Sequence, residues 1–563
     1  MAKHVAFTLS AEGARVVLNS LPSAAGSLAP DTVKSILADG AEALATFEDT
    51  SSLEGATRLI DQTLEAYGRL DILINFNSSH AERATTLFDL SENEWDSTVA
   101  SDLKAAFACT RAASSAMRNQ RFGRVITFSS TSALNGAAGY AVQGATKAAL
   151  LGFTRDVARE IGPYGVTCNT IALPLHEGNS TTSNVEIQNR NIASLVAALS
   201  VEEAGPINSQ VFLIAGGSVS LIFQPAPHHS IYHSSIWSLN ELSQMTGLLD
   251  EAMQVSSDGV RSNSEPKDQW LKGRVAIVTG AGRGIGRGIA HFLAAEGANV
   301  LVNDYGVDVN GENPRSGPAQ DVANEIRASG GAAVPNFESV ATVQGGERII
   351  QAALQEWGKL DILVNGAGMI LDRLIWDMSE AEWDRVISIN MKGHYCTVKP
   401  ACQVMRRQGS GRIINFTSNS GLLNDGRGAH YCAAKAGNAG FTRCVARDVA
   451  PFGITCNAVA PTAHTRMTDE GSRARGTMSD AALQAIPGPE GVAPMVAWLC
   501  SDEAATVNGR IFQLAGGAVS LVHEETPFRT ITKKEPWAPD ELLWAIPRRL
   551  LYGIPNPAPL LPL

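Results

Sequence analysis

The 563-residue chain is longer than one compact core supports, and usual domain sizes put it at about two to four domains, two being the simplest reading. Its 44% hydrophobic and 18% charged residues are those of soluble globular enzymes rather than of disordered or fibrous chains. With 45 basic against 56 acidic residues the net charge is −11, and no basic run could neutralise a phosphate backbone, so nucleic acid is not an expected partner.

From its first residues onward the chain carries a long internal repeat, and this sets its organisation. "LSAEGARVVLNS" (9–20) returns as "LAAEGANVLVND" (293–304), and "YGRLDILINFNSS" (67–79) as "WGKLDILVNGAGM" (357–369). "FGRVITFSSTSALNG" answers "SGRIINFTSNSGLLN", "YGVTCNTIA" answers "FGITCNAVA", and "FLIAGGSVSL" (212–221) answers "FQLAGGAVSL" (512–521). Even "WSLNEL" (237–242) has its counterpart in "WAPDEL" (537–542). Two copies are expected, over 1–244 and 273–522. Residues 245–272, rich in Ser, Asp, Gly and Gln, read as the linker, and the tail 523–563 has no clear place.

Within the second copy, short apolar runs alternate with longer helical patterns, and strands are predicted at 274–279, 299–303, 332–336, 361–365, 411–417, 454–459 and 511–514. Such alternation implies βαβ units with right-handed crossovers. The expected fold is α/β: two tandem Rossmann-like, doubly wound parallel sheets, each binding ligands beyond the carboxyl ends of its strands.

The predicted strand "RVAIVTG" runs into "AGRGIGRGIAHFLAAEG", which places Gly280, Gly284 and Gly286 in a turn that opens a helix. Without side chains there, backbone amides can approach a pyrophosphate, and the helix N-terminus adds positive potential. A plain structural turn is the alternative. The functional reading gains from context, because the turn follows a strand, starts a helix and is followed by an acid, Asp304, at the end of the next strand. A carboxylate there accepts from ribose hydroxyls and repels a 2′-phosphate, so NAD is expected. Arg283 argues the other way and keeps NADP as the alternative. Glu338, after the third strand, is placed to accept from the adenine amino group or to be a surface acid.

The order Gly-x-x-x-Gly-x-Gly, then Asn365-Gly-Ala-Gly368, then Asn390, then Ser418 and Tyr431-x-x-x-Lys435 resembles the short-chain dehydrogenase/reductase family across essentially the whole second copy. The resemblance implies a catalytic set of Asn390, Ser418, Tyr431 and Lys435. It also implies cofactor contacts from Gly280, Arg283, Gly284, Ile285, Gly286, Asp304, Glu338, Ser339, Val340, Asn365, Gly366, Ala367, Gly368, Tyr431, Lys435 and Pro461. Physical chemistry supports this carry-over. Tyr431 and Lys435 share one helix face. A tyrosine ordinarily titrates near pH 10, and a neighbouring ammonium favours its phenolate, so Tyr431 can act as general acid in reduction and general base in oxidation. Ser418 would polarise the carbonyl or alcohol oxygen. The resemblance further implies that Lys435 holds the nicotinamide ribose and that Asn390 supports a water. Each residue alone has a bland alternative, as a core tyrosine, a solvated lysine, a turn serine or a helix-kink asparagine. The alternatives weaken when all four stand in order.

"VNDYG", the insertion "VDVNGENPRSGPAQDVANEI", "ILDRLIWDMSEAEWDRVI" and "VAPTAHTRMT" look like the (3R)-hydroxyacyl-CoA dehydrogenase part of peroxisomal multifunctional enzyme type 2. That resemblance makes a 3-hydroxyacyl-CoA/3-oxoacyl-CoA pair the leading substrate and an acyl-CoA thioester the expected small-molecule partner. A steroid or polyketide alcohol is the rival, since the segment 466–489 that would shape the pocket has no readable specificity. A non-catalytic binding or scaffold protein is the other alternative. The eight cysteines are scattered, without metal spacing, so reduced thiols and no metal site are expected. No apolar run suggests a membrane span, and Leu561, Pro562 and Leu563 do not match the SKL address, which makes a cytoplasmic location the expectation.

The first copy looks damaged. Met1 aligns with Ile285, so the opening strand and nearly all of the glycine turn are missing, and a misassigned start codon is the favoured explanation. Ser20 replaces Asp304, Phe76, Asn77 and Ser78 replace Gly366 to Gly368, and Asp102 replaces Asn390. Gln143 stands opposite Tyr431, and an amide cannot supply the exchanged proton even though Ser130 and Lys147 persist. Tyr140 is three positions early. Small residues at Ala148 and Gly152, and at Ala436 and Gly440, predict that the two copies pair through these helices as an intramolecular pseudo-dimer, with further homo-oligomers as an alternative.

Overall fold

The computed structural model describes residues 1–21, 28–76, 84–175, 182–249, 268–307, 315–423, 428–469 and 479–558. Residues 250–267 of the expected linker, Asn77 and Ser78, and 470–478 of the pocket-shaping segment lie outside the described residues.

The first half contributes strands β1 (Val16–Asn19), β2 (Ala43–Thr46), β3 (Ile72–Asn75), β4 (Gly123–Ser130), β5 (Val166–Leu173), β6 (Val211–Ala215), β7 (Ser218–Ile222) and β8 (Pro227–Tyr232). The second contributes β9 (Val275–Thr279), β10 (Asn299–Asn303), β11 (Ala332–Asn336), β12 (Ile362–Asn365), β13 (Gly411–Phe416), β14 (Ile454–Thr462), β15 (Ile511–Ala515), β16 (Ala518–Val522) and β17 (Pro527–Thr532). The second-half sheet runs β11-β10-β9-β12-β13-β14-β15-β16-β8, parallel from β11 to β15. Its central strands are buried along their whole length, as continuous Val/Ile/Leu runs must be when helices cover both faces. In the first half the sheet is split into β1-β2 and β3-β4-β5-β6-β7-β17. The strand that would join them corresponds to β9 and has no counterpart among the described residues.

The tails cross over. Strand β8, at the end of the first copy, adds antiparallel to β16 of the second, while β17, in the tail that had no clear place, adds to β7 of the first. The expected boundaries at 244 and 522 therefore do not separate the two sheets. The reason is the edge: β7 and β16 each expose a row of unpaired backbone groups, and each is satisfied by the other half's tail. Trp237 and Trp537 repeat one lock, donating from Nε1 to the carbonyls of Gly517 (2.8 Å) and Gly217 (3.0 Å).

The halves meet through helices α1 (Ala105–Gln120) and α2 (Ala141–Ile161) of the first and their counterparts of the second. The second half supplies α3 (Gly284–Ala295), which follows the glycine turn, then α4 (Gly393–Gln408) and α5 (Ala429–Val449). The small residues allow the α2–α5 approach. A Cβ on Gly440 would lie 2.2 Å from the Gly144 carbonyl oxygen, and one on Gly152 would lie 2.6 Å from Cβ of Ala436. Around this crossing each contact appears twice, as a pseudo-two-fold requires. Trp95 stacks on Tyr395 (4.6 Å) and Trp383 on Phe107 (4.1 Å). Lys392 pairs with Glu92 and Asp96, and Lys104 with Glu380 and Asp384. One buried apolar cluster runs through both halves.

Candidate active site

Strand β9 ends in a turn that only glycines can make. Gly280 and Gly284 have φ of +66° and +51°, and a Cβ on Gly286 would lie 2.2 Å from the Gly280 carbonyl oxygen. The turn opens α3, whose unpaired N-terminal amides and dipole give the positive potential an anionic group needs. A cavity of about 450 Å³ begins here and crosses the carboxyl ends of the strands.

Asp304, just past β10, lines this cavity, and its carboxylate accepts from the backbone of Gly282 (2.8 Å) and Gly306 (2.7 Å). Arg283 lies near it and donates to the Val307 carbonyl (3.0 Å). Burial and the charges of Arg466 and Arg315 lower the Arg283 pKa, while Asp304 opposes the shift. Ile285, Ser339, Val340, Gly366, Ala367, Gly368 and Pro461 also line the cavity. Glu338 lines it too, but its carboxylate is ion-paired with Arg348 at 2.8 Å. Asn365 does not line it. Lying at the end of β12 and 1% exposed, it bridges Asn415 (3.0 Å) and Thr397 (2.7 Å), so it ties the sheet rather than facing a ligand.

The four residues of the expected catalytic set meet in the same cavity. Tyr431 and Lys435 stand one turn apart on α5, with the Lys435 Nζ 5.8 Å from the Tyr431 ring centroid and donating to the Phe416 carbonyl (3.1 Å). Burial pulls the Lys435 pKa down to about 8. Ser418 follows β13, and its hydroxyl accepts from the Ser420 amide (3.2 Å). Asn390 sits in a π-helical turn, Ser388–Lys392, of the kind that re-aims a side chain at a functional site. Its side chain accepts from the Met369 amide (3.2 Å) and donates to the Met369 carbonyl (3.0 Å), while its own carbonyl accepts from Asn438 (2.8 Å). A Cβ on Gly368 would lie 2.6 Å from the Asn390 Oδ1, which accounts for the glycine there.

The cavity wall also contains residues the motif reading missed: Met369, Ile370, Ile389 and Met467 on the apolar side, and Thr465 and Arg466 above the glycine turn. Their only sequence signal is position, directly after a strand or helix turn that faces the cavity. All eight cysteines are buried and free, and burial pushes Cys109, Cys168, Cys396, Cys444 and Cys500 up to about 12, which leaves them unreactive thiols. Among the described residues no acidic, histidine and cysteine side chains cluster to hold a metal, and no helix is long and apolar enough to cross a membrane.

Residues 274–475 match the model of short chain dehydrogenases, and residues 1–218 match that of the enoyl-(acyl carrier protein) reductases. A short-chain type dehydrogenase/reductase of Mycobacterium tuberculosis is 40% identical over 45% of the chain and 85% of its own length. The 3-oxoacyl-(acyl-carrier-protein) reductase of Escherichia coli is 36% identical over 44% of the chain and 98% of its own length. The peroxisomal hydratase-dehydrogenase-epimerase of Neurospora crassa is 30% identical over 87% of the chain. The chain spans 55% of that relative's length. The chain belongs to the short-chain dehydrogenase/reductase family, whose members use NAD(P).

Proposed function

We propose that the second half interconverts 3-hydroxyacyl-CoA and 3-oxoacyl-CoA with NAD(H), and that the first half does not catalyse. The observation that carries this is the gathering of Ser418, Tyr431, Lys435 and Asn390 in one cavity with the glycine turn. That cavity fits the cofactor: Gly280, Gly284 and Gly286 form a cradle that side chains would fill, α3 adds its dipole, and Asp304 stands where ribose hydroxyls would lie. When bound, the nicotinamide supplies or takes up the hydride. Ser418 donates to the reacting oxygen as charge develops there. Tyr431 gives its phenolic proton to that oxygen in reduction and takes it back in oxidation, with the Lys435 ammonium stabilising the phenolate. The apolar wall of Met369, Ile370 and Met467 excludes water and accepts an alkyl chain.

The named activities of the relatives, hydratase-dehydrogenase-epimerase and 3-oxoacyl reductase, support the thioester pair. Following absorbance at 340 nm with NADH or NADPH, and with 3-oxoacyl-CoA substrates against oxosteroids, tests the reading. Turnover of thioesters with NADH is expected, and turnover confined to steroids would overturn it. Asp304→Ala should erode the preference for NADH by roughly tenfold or more, as expected when one charged contact is lost. The cytoplasmic location expected from the sequence belongs to the same proposal. The relatives named peroxisomal set the competing expectation, and imaging of a fluorescent fusion decides between them.

A further inference from the structure

The wall of the cavity continues from Met369 and Ile370 into a segment that ends at Met378, and first-half side chains grip this segment. Glu160 Oε2 accepts from the Ile375 amide at 2.5 Å. Trp376 is covered by the Arg118 guanidinium at 3.7 Å and meets the Tyr164 ring edge-on at 5.7 Å. Arg111 donates from Nε to the Met378 carbonyl at 3.1 Å. One turn before Glu160 on α2, Asp156 is fully buried and accepts from Sγ of Cys432, the residue after Tyr431, at 3.3 Å. Asp156 and Glu160 thus stand one turn apart on the same face of α2, one holding the Cys432 thiol and the other the Ile375 amide. Burial, the charge of Asp156 and, from the gripped segment, that of Asp377 hold the Glu160 carboxyl well above the usual carboxylate range. Cys432 faces the pair from α5.

We propose that Asp156 and Glu160 of the first half are positioning residues for the second half's site, a carboxyl pair on one helix face that holds the 369–378 wall in register with the Tyr431 turn. The inference rests on the oxidoreductase reading of that site. In it, the half without a tyrosine at the position of Tyr431 sets how the substrate's reacting carbon meets Tyr431.

The test uses the full-length chain with Glu160→Ala and Glu160→Gln, acetoacetyl-CoA and NADH as probes, and hydrogen–deuterium exchange on peptides covering 369–378. Glu160→Ala strands the Ile375 amide. It should raise KM for acetoacetyl-CoA by roughly tenfold, leave KM for NADH unchanged and speed exchange across 369–378. Glu160→Gln can still accept from the Ile375 amide through its side-chain oxygen. It should keep wild-type KM and exchange. Wild-type KM and exchange in Glu160→Ala would overturn the proposal, as would Ala and Gln variants that lose thermal stability alike with no KM split. If wild type turns over no thioester, the functional reading fails, and the exchange measurement still decides whether Glu160 holds the wall.

Discussion

Lys147 Nζ lies 2.9 Å from a carboxylate oxygen of Asp102, and Asp102 is fully buried. These are the first-half counterparts of Lys435 and Asn390. In the second half the buried lysine donates to the Phe416 carbonyl and, like the neutral Asn390 side chain, borders Gly368, so its charge is available to Tyr431. In the first half the same charge is neutralised by a carboxylate, and Gln143 occupies the tyrosine position. The pair is thus a structural tie at the positions that correspond to Lys435 and Asn390. Asp102→Ala should cost about 3–5 kcal/mol by leaving Lys147 without its counter-charge. Denaturant unfolding with a shift below about 1 kcal/mol would show that the pair does not hold this half together.

Restoring the phenol should not restore chemistry. Gln143→Tyr combined with Asp102→Asn restores those two side chains, but Phe76 still stands where Gly366 lines the second half's cavity and Ser20 where Asp304 does. In a Tyr431→Phe background this double substitution should therefore give no turnover above Tyr431→Phe alone. Tyr431→Phe itself should lower kcat by about 10² to 10⁴ with NADH binding retained. Full activity in Tyr431→Phe would place catalysis elsewhere.

The pH dependence follows from Lys435. Its folded value, about 8, lies below the ordinary 10.5, so the folded state holds the ammonium less readily than the unfolded chain. The burial penalty is present in full below about pH 8 and is relieved as pH rises toward 10.5, so this residue makes stability rise across that window. Activity should move the opposite way. The charged form that steadies the Tyr431 phenolate declines above about pH 8, and reductive kcat/KM should fall through that value. A rate profile flat from pH 7 to 10 would separate Lys435 from the proton transfer.

Much of this architecture was legible because the signals were local. The seven strands expected in the second copy all fall within three residues of their expected bounds, since buried parallel strands read as apolar runs between glycine-marked turns, whereas the antiparallel β16 was not expected. Gly440 and Gly152 were readable as a helix crossing because only small residues admit one. The crossed tails were not readable, because edge pairing depends on which half presents an unpaired strand and not on the tail's own pattern. Asn365 misled for a related reason: the family motif marks a position, and only packing shows that its amide points into the sheet. Asp156 and Glu160 carry no sequence signal of their contacts, since packing between two halves leaves no mark on a single helix.

The two halves also share one ion. Arg155 on α2 and Arg443 on α5, equivalent positions in the repeat, both reach Glu525, at 2.5 and 3.3 Å, with all three side chains less than 5% exposed. Glu525 has no acidic counterpart in the first copy, where the "SVSLIFQPAP" run places Pro225. It lies in the chain between β16 and the crossing strand β17, so one carboxylate fixes the helix pair and the exchanged tail together. Removing it takes a shared counter-charge from two buried guanidiniums, and breaking a buried pair in this way typically costs about 3–5 kcal/mol. Glu525→Ala should therefore lower the unfolding midpoint sharply. Glu525→Gln should recover only part of the loss, since an amide oxygen can accept from one guanidinium but carries no charge. Because none of these groups lines the cavity, KM for NADH should stay near wild type at temperatures where the variant is folded. A Glu525→Ala protein as stable as wild type would mean that apolar packing at Gly440 and the Trp95 and Trp383 stacks holds the halves together without the buried charge.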